Sequence, residues 1–403
     1  MAKRSVVLLG LTSAVALLVW ATDSQGQRRE RDRFSSTRPT ISALPQSVSA
    51  PPDNPLTADK IALGKLLFWD PILSGNRDVA CATCHHPRDG YAENRDISIG
   101  VNGTGLGRTR RFESPNSIPF VKRNSQTMVN VGFNGISQAG EYSPANAPMF
   151  WDMRVKSLET QALEPIKSFE EMRGDAYPED KALETVVARL NAIPEYRALF
   201  SKAFGGENAV NVTNLGKALA SFGRSLVSNN SSFDRYMRGD RTAMTAAQLE
   251  GMERFERVGC TECHNGPMLS DYKVHVLGVP DNGTLPRTDR GMADMPEAFR
   301  TASFEGTPYG FRTASLRNLR NTSPYMHSGR FSTLMGVLDF YDDLPENPNV
   351  RRRDVDPLAR RLDDPDDAAD AIIAFLDALN DDSFDKTIPS LVPSGLTPGG
   401  RIQ

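Results

Sequence analysis

"CATCH" at residues 81–85 and "CTECH" at residues 260–264 contain all four cysteines of this 403-residue chain, in the same order and each followed by histidine. A Cys-x-x-Cys-His pentapeptide attaches a c-type haem, with two thioethers on the vinyl positions and the adjacent histidine under the iron. On that reading Cys81, Cys84 and His85 hold one haem, and Cys260, Cys263 and His264 hold the other. Three other fates of such cysteines exist. One zinc ion shared by both pairs is less natural with residues 85–259 between them. A thioredoxin-like dithiol needs a strand-to-helix setting, whereas both motifs here follow helical patterns. Two structural disulfides would suit an exported chain but leave both histidines without a role.

Working outward, apolar residues recur at helical spacing ahead of each motif. "TADKIALGKLLF" opens with Thr57 as N-cap and leads to the first motif; "TAAQLEGMERFERVGC" opens with Thr245 and Gln248 as a capping box and runs into the second. "DKALETVVARL", "PEYRALFSKAF" with Pro194 at its start, "NLGKALASFGRSL", "STLMGVLDFYDD" and "DDAADAIIAFLDAL" are further amphipathic helices. Long alternating strand patterns are absent. Loops rich in Gly, Pro and Asn fill 97–148 and 278–312, and loops of that length are usually functional. The predicted fold is mostly α.

The chain is long enough for two domains, and a boundary near 229–240 gives one motif to each half: 56–235 and 236–385. Residues 1–21 carry Lys3 and Arg4 before an apolar run, the layout of a signal peptide or retained N-terminal anchor, so the mature protein is expected in the periplasm without a membrane span unless that segment is kept. Residues 22–55 read as a disordered linker and 386–403 as a flexible tail, both poor in large apolar residues. With 47 Lys and Arg against 50 Asp and Glu, nothing in the composition calls for nucleic acid as partner.

Longer strings carry a resemblance. "LFWDPILSGNRDVACATCH", "FWDMRVKSLETQALEPI", "SSFDRYMRGD", "FERVGCTECHNGP" and "TASLRNLRNTSPYMHSGRFSTL" come in the order found in the bacterial dihaem cytochrome c peroxidase and MauG family, from about Leu67 to Tyr341. The resemblance implies two cytochrome-c-like helical domains, each with one covalent c-type haem, the first meeting peroxide and the second handling electrons. It implies that Trp151 is a stepping stone between the haems, although Met153 replaces the glycine of the family's FWDGR string and an isolated tryptophan would read as core. Ten and twenty residues further on, Gln161 and Glu171 match the family's peroxide-positioning amide and proton-handling carboxyl, with Pro165 between them. Val101 stands where ordinary members carry a blocking histidine, which implies an open first haem. Tyr341 stands where they carry a methionine ligand of the second haem, as in MauG; Met326 and Met335 are rivals off the family position.

The resemblance also implies a calcium ion held by the Asn124 side chain and the carbonyls of Thr322 and Pro324, oxygen donors that suit a hard cation. His327 matches a family histidine that is structural or propionate-bound, and His86 and His275 read as ordinary surface or loop residues. The implied activity is that of a hydrogen-peroxide-dependent oxidoreductase of the MauG type. It forms a high-valent two-haem state for long-range oxidation of a residue, such as a tryptophan, on a partner protein. The alternatives are an ordinary peroxidase reducing peroxide to water with electrons from a small redox protein, and a non-catalytic dihaem electron carrier.

Overall fold

Two helix pairs that cross at the same three residue types organise the chain. In the computed structural model, which describes residues 40–300, 306–344 and 349–403, helix α1 (Ala58–Trp69) is capped by Thr57, whose hydroxyl accepts from the Lys60 amide at 3.3 Å. The short turn α2 (Cys81–Cys84) carries the first motif, and α3 (Leu158–Gln161) and α4 (Glu164–Lys167) precede a five-residue π-helical turn at Phe169–Arg173. Helices α5 (Ala182–Ala192), α6 (Pro194–Phe204) and α7 (Val212–Ser225) complete the first half. The second half holds α8 (Ser232–Met237), α9 (Ala246–Val258) with the expected Thr245/Gln248 capping box, α10 (Leu334–Asp343) and α11 (Ala369–Asp377). Strands among the described residues are three antiparallel pairs of two or three residues; one joins Val274–Val276 to Gly310–Arg312.

Helix α1 lies against α7, and α9 lies against α11. A Cβ added at Gly64 would collide with the Ala218 carbonyl and press on Phe222, and a Cβ added at Gly251 would do the same to Ala371 and Phe375. In each half a glycine on the helix before the motif lets the backbone of a later helix approach, with an Ala-x-x-x-Phe step receiving it.

Two of the apolar clusters surround these crossings. One cluster runs from Leu63 to Leu226, and another takes in Phe233, Phe255, Ile372 and Phe375. Nevertheless, Ile41–Gln403 pack as one compact unit, because the two ends of the chain cross over. Ile41 joins the second cluster, while Phe384 and Val392 join the first.

Two expectations are thereby corrected. Residues 41–55 are no free linker: Ile41, Leu44 and Asn54 are buried, the Leu44 amide donates to Asp234 at 2.9 Å, and Arg238 donates to the Leu44 carbonyl at 2.7 Å. Nor is 386–403 a flexible tail. Ser394 Oγ donates to Asp70 at 2.6 Å, Gly399 N to the Trp69 carbonyl at 2.7 Å, and Thr83 Oγ1 to the Gly399 carbonyl at 3.0 Å. Both segments have too few apolar residues to order themselves, but each lends main-chain groups and one or two anchors to a surface that already exists. The expectations for residues 1–39 lie outside the described residues. Among the described residues no helix is long and apolar enough to cross a membrane.

In an open helix Gly→Ala adds about 1 kcal/mol of stability through propensity. At Gly251 the collision with the Ala371 backbone reverses the sign, so Gly251→Ala is expected to lower stability by about 1–3 kcal/mol, read as a fall in Tm. A raised Tm would show that the crossing tolerates a side chain.

Candidate functional site

Both Cys-x-x-Cys-His turns fold alike. The His85 amide donates to the Cys81 carbonyl at 3.0 Å and the His264 amide to the Cys260 carbonyl at 2.9 Å. His85 Nδ1 lies 3.0 Å from the Tyr91 carbonyl oxygen, and His264 Nδ1 lies 3.0 Å from that of Leu269. A carbonyl can only accept, so each Nδ1 carries the proton and each Nε2 keeps a lone pair. Ser125 Oγ, which donates to the Cys84 carbonyl, is 3.4 Å from His85 Nε2. Tyr91 and Leu269 hold φ of 55° and 48°, a left-handed backbone uncommon for residues with side chains, so both halves accept the same local strain to present that carbonyl.

The four cysteines are free thiols. Burial pushes Cys81 and Cys260 up to about 12 and Cys84 well above its usual range, and it pushes both motif histidines below theirs. Each motif lines its own cavity, so no single metal ion is shared between them.

The first cavity, of about 480 Å³, brings Cys81, Cys84 and His85 together with Gln161, Pro165 and Glu171. Glu171 sits in the π-helical turn. Burial, then the neighbouring Glu170, pushes its carboxyl up to about 7, while Arg154 and Ser168 pull the other way. The Val101 amide donates to the Glu171 carbonyl at 3.1 Å, and the chain reaches that close because a Cβ on Gly100 would run into the carbonyls of Glu170 and Glu171. Of the five histidines, His85 alone lines this cavity: His275 and His327 line the second, and His86 is buried with its ring 5.6 Å from that of Trp69.

The second cavity, of about 260 Å³, holds Cys260, Cys263, His264 and Tyr341, with Met326 and Met268 also on its walls. Met335 is 38% exposed and lies outside it. Burial raises the Tyr341 phenol above its usual range. His327 stacks on Phe311 with ring centroids 3.6 Å apart, and burial pushes its imidazole down to about 3, so it is neutral.

Residues 124–127 and Trp151 line both cavities and form the wall between them. Trp151 Nε1 donates to the Asn124 carbonyl at 3.0 Å, and its ring lies 6.4 Å from that of His327. Beside it, buried Asp152 pairs with Arg123 at 2.6 Å and Arg154 at 2.9 Å. Met153 takes the left-handed conformation (φ 56°) for which the family string carries glycine. Asn124 Nδ2 donates to the Arg95 and Asp96 carbonyls at 3.0 and 3.2 Å, which leaves Oδ1 as the end available to a cation; Thr322 and Pro324 line the same second cavity.

His275, which reads as an ordinary loop residue, is instead a buried cross-link. Its Nδ1 is 2.7 Å from Asp356 and its Nε2 is 3.0 Å from Asp271. Asp271, the Cys263 sulfur and Asp356 together push it up to about 11. In a haem-loaded chain the thioether cannot ionise, and the two carboxylates remain. The clamp ties the turn after the second motif to the segment following α10. Asp271 lies only four residues before His275, whereas Asp356 is brought to it by tertiary packing from 81 residues away.

The donor sets fit two covalent haems: two half-buried thiols, one Nε2 lone pair and an apolar cavity in each half. A family model described as di-haem cytochrome c peroxidase matches residues 58–242. The methylamine utilization protein MauG of Methylorubrum extorquens is 32% identical over 348 residues, 86% of this chain and 85% of that protein. Cytochrome-c peroxidase IdrP1 of Pseudomonas sp. (strain SCT) is 33% identical over 369 residues, covering 86% and 87%. Among solved structures, a MauG-like protein associated with microbial copper homeostasis superposes with a TM-score of 0.66 at 26% identity, covering 84% of this chain and 95% of that one.

With the two carboxylates as partners, folded His275 holds its proton above 6.5, near which an unfolded imidazole releases it, so the clamp stabilises fully below 6.5 and fades as pH rises above it. A His275→Gln protein is expected to have a lower Tm than the parent at about pH 6, with a gap that narrows as pH rises to about 10. A gap independent of pH would show that the cross-link is not ionic.

Proposed function

Because this chain belongs to the di-haem cytochrome c peroxidase family and is a haem peroxidase-type oxidoreductase, we propose that it works in the MauG manner, using hydrogen peroxide to oxidise a residue of a partner protein at long range. The observation that carries this reading is that Tyr341 lines the second cavity with His264, while His85 is the one histidine in the first. Cys81 and Cys84 would hold the first haem with His85 as ligand; Cys260 and Cys263 would hold the second with His264 and Tyr341. When bound, the haems supply iron that takes up the two oxidising equivalents of peroxide.

The chain's own residues handle protons and position. Glu171, with its carboxyl near 7, takes the proton from the near oxygen of peroxide and returns it to the departing oxygen, which leaves as water. Gln161 orients the bound molecule through its amide. Val101 offers no ligating atom, so nothing from that loop blocks the approach. Trp151, on the shared wall, carries electrons between the two sites; its N–H faces a carbonyl, a poor base, so it passes charge without losing its proton. Asn124, Thr322 and Pro324 would hold calcium through oxygen, bracing the wall on which Trp151 rests. Oxidation sites on a docked partner, such as a tryptophan side chain, supply the electrons. Export to the periplasm, resting on the N-terminal sequence, belongs to the same proposal.

A second reading is favoured by Met326, which shares the second cavity with Tyr341. A thioether ligand there would raise the potential of that haem and suit an ordinary peroxidase fed by a small redox protein. A far-red sulfur–iron absorption band in the ferric protein, abolished in Met326→Leu, would select that reading over the first.

Mixing the diferric protein with peroxide in stopped flow tests the proton step. The parent rate is expected to rise with pH through about 7 as Glu171 ionises. Glu171→Gln is expected to react roughly 10²–10⁴-fold more slowly, without that rise. A variant as fast as the parent, with the same profile, would remove Glu171 from the chemistry. For the relay, Trp151→Phe is expected to slow charge sharing between the haems, and unchanged kinetics at the second haem would contradict it.

A further inference from the structure

Among the described residues four arginines are buried: Arg110, Arg224, Arg312 and Arg317. Arg224 pairs with Glu159 at 2.9 Å and Arg317 with Asp234 at 2.7 Å. Arg110 donates to the carbonyls of Ile99, Gly100 and Gly105 and lies in the field of Glu93 and Asp78. Arg312 differs, having no carboxylate partner among the described residues. Its guanidinium reaches the Phe150 carbonyl at 3.2 Å, the Thr313 carbonyl at 3.3 Å and Gln126 Oε1 at 3.3 Å, and it lies 5.3 Å from the Tyr272 ring. Tyr272 is no counter-ion, since burial holds its phenol above the usual range and its hydroxyl donates to Asn134.

A buried guanidinium without an anion is costly, and such groups are retained where an anion arrives from elsewhere. Arg312 lines the second cavity, beside Gln126 and Trp151, which line both. Its own amide donates to the Trp151 carbonyl at 2.8 Å. The group expected in this cavity is a porphyrin, which brings two carboxylates of its own.

We propose that Arg312 is the counter-ion of a haem propionate in the second cavity, and that it joins that cofactor to the main chain of Phe150 and Trp151. One residue would then neutralise the cofactor and fix the relay segment against it. A fork of N–H donors is the geometry that grips a carboxylate through two bonds. The inference rests on the reading that a haem is held at Cys260 and Cys263.

Arg312→Leu and Arg312→Lys, prepared with both haems attached, test it by spectroelectrochemical titration. Removing the positive charge favours ferric iron, so Arg312→Leu is expected to shift the second haem to lower potential and leave the first unmoved, while Arg312→Lys stays closer to the parent. A parent-like potential in Arg312→Leu overturns the proposal. Should that variant fail to accumulate, a crystal structure of the unaltered haem-loaded protein decides: a guanidinium nitrogen within about 3 Å of a propionate oxygen supports it, and a propionate with no contact to Arg312 overturns it. Absence of pigment at Cys260 and Cys263 would remove the underlying haem reading instead.

Discussion

The imidazole of each motif is held by one hydrogen bond from Nδ1 to a main-chain carbonyl, that of Tyr91 in the first half and Leu269 in the second. That bond fixes the tautomer and turns the Nε2 lone pair into an apolar cavity beside two half-buried thiols. Both carbonyls belong to residues in left-handed backbone, a conformation the surrounding packing must impose. Without that bond the ring could rotate, and the same five residues would hold neither a defined ligand nor a defined cofactor plane.

The helix packing beside each motif is repeated as well. Gly64 against Ala218 and Phe222, and Gly251 against Ala371 and Phe375, bring the helix before each motif onto a later helix at backbone distance. Around these two crossings the chain builds two apolar clusters and then binds them together with its own ends. The wall that results is thin: residues 124–127 and Trp151 face both cavities, so a change in one site is felt by groups that also serve the other. Charge runs along the same wall through Arg154, Asp152, Arg123 and Asp289, with Arg312 on the cavity side.

Much of this was readable in the residues. The pentapeptides, the Thr57 and Thr245 caps and the amphipathic helices are local, so period and capping chemistry reveal them. The long loops were recognisable as functional, and they line both cavities. The repeated helix crossing was not readable: α9 runs directly into its motif through Gly259, whereas the segment after Trp69 loops before Cys81, so the two glycines sit at different offsets. The docked ends escaped for another reason, since composition reports whether a segment can order itself and not whether it can add to an existing surface. The Asp356 half of the His275 clamp and the Gln126 contact of Arg312 come from partners 81 and 186 positions away in the chain.

Low-temperature electron paramagnetic resonance of the diferric protein, before and after cyanide, bears most directly on the claim of one open and one closed haem. The account predicts a high-spin signal from the haem on His85 that cyanide converts to low-spin, beside a second signal that cyanide leaves alone. Two low-spin signals, both indifferent to cyanide, would contradict it.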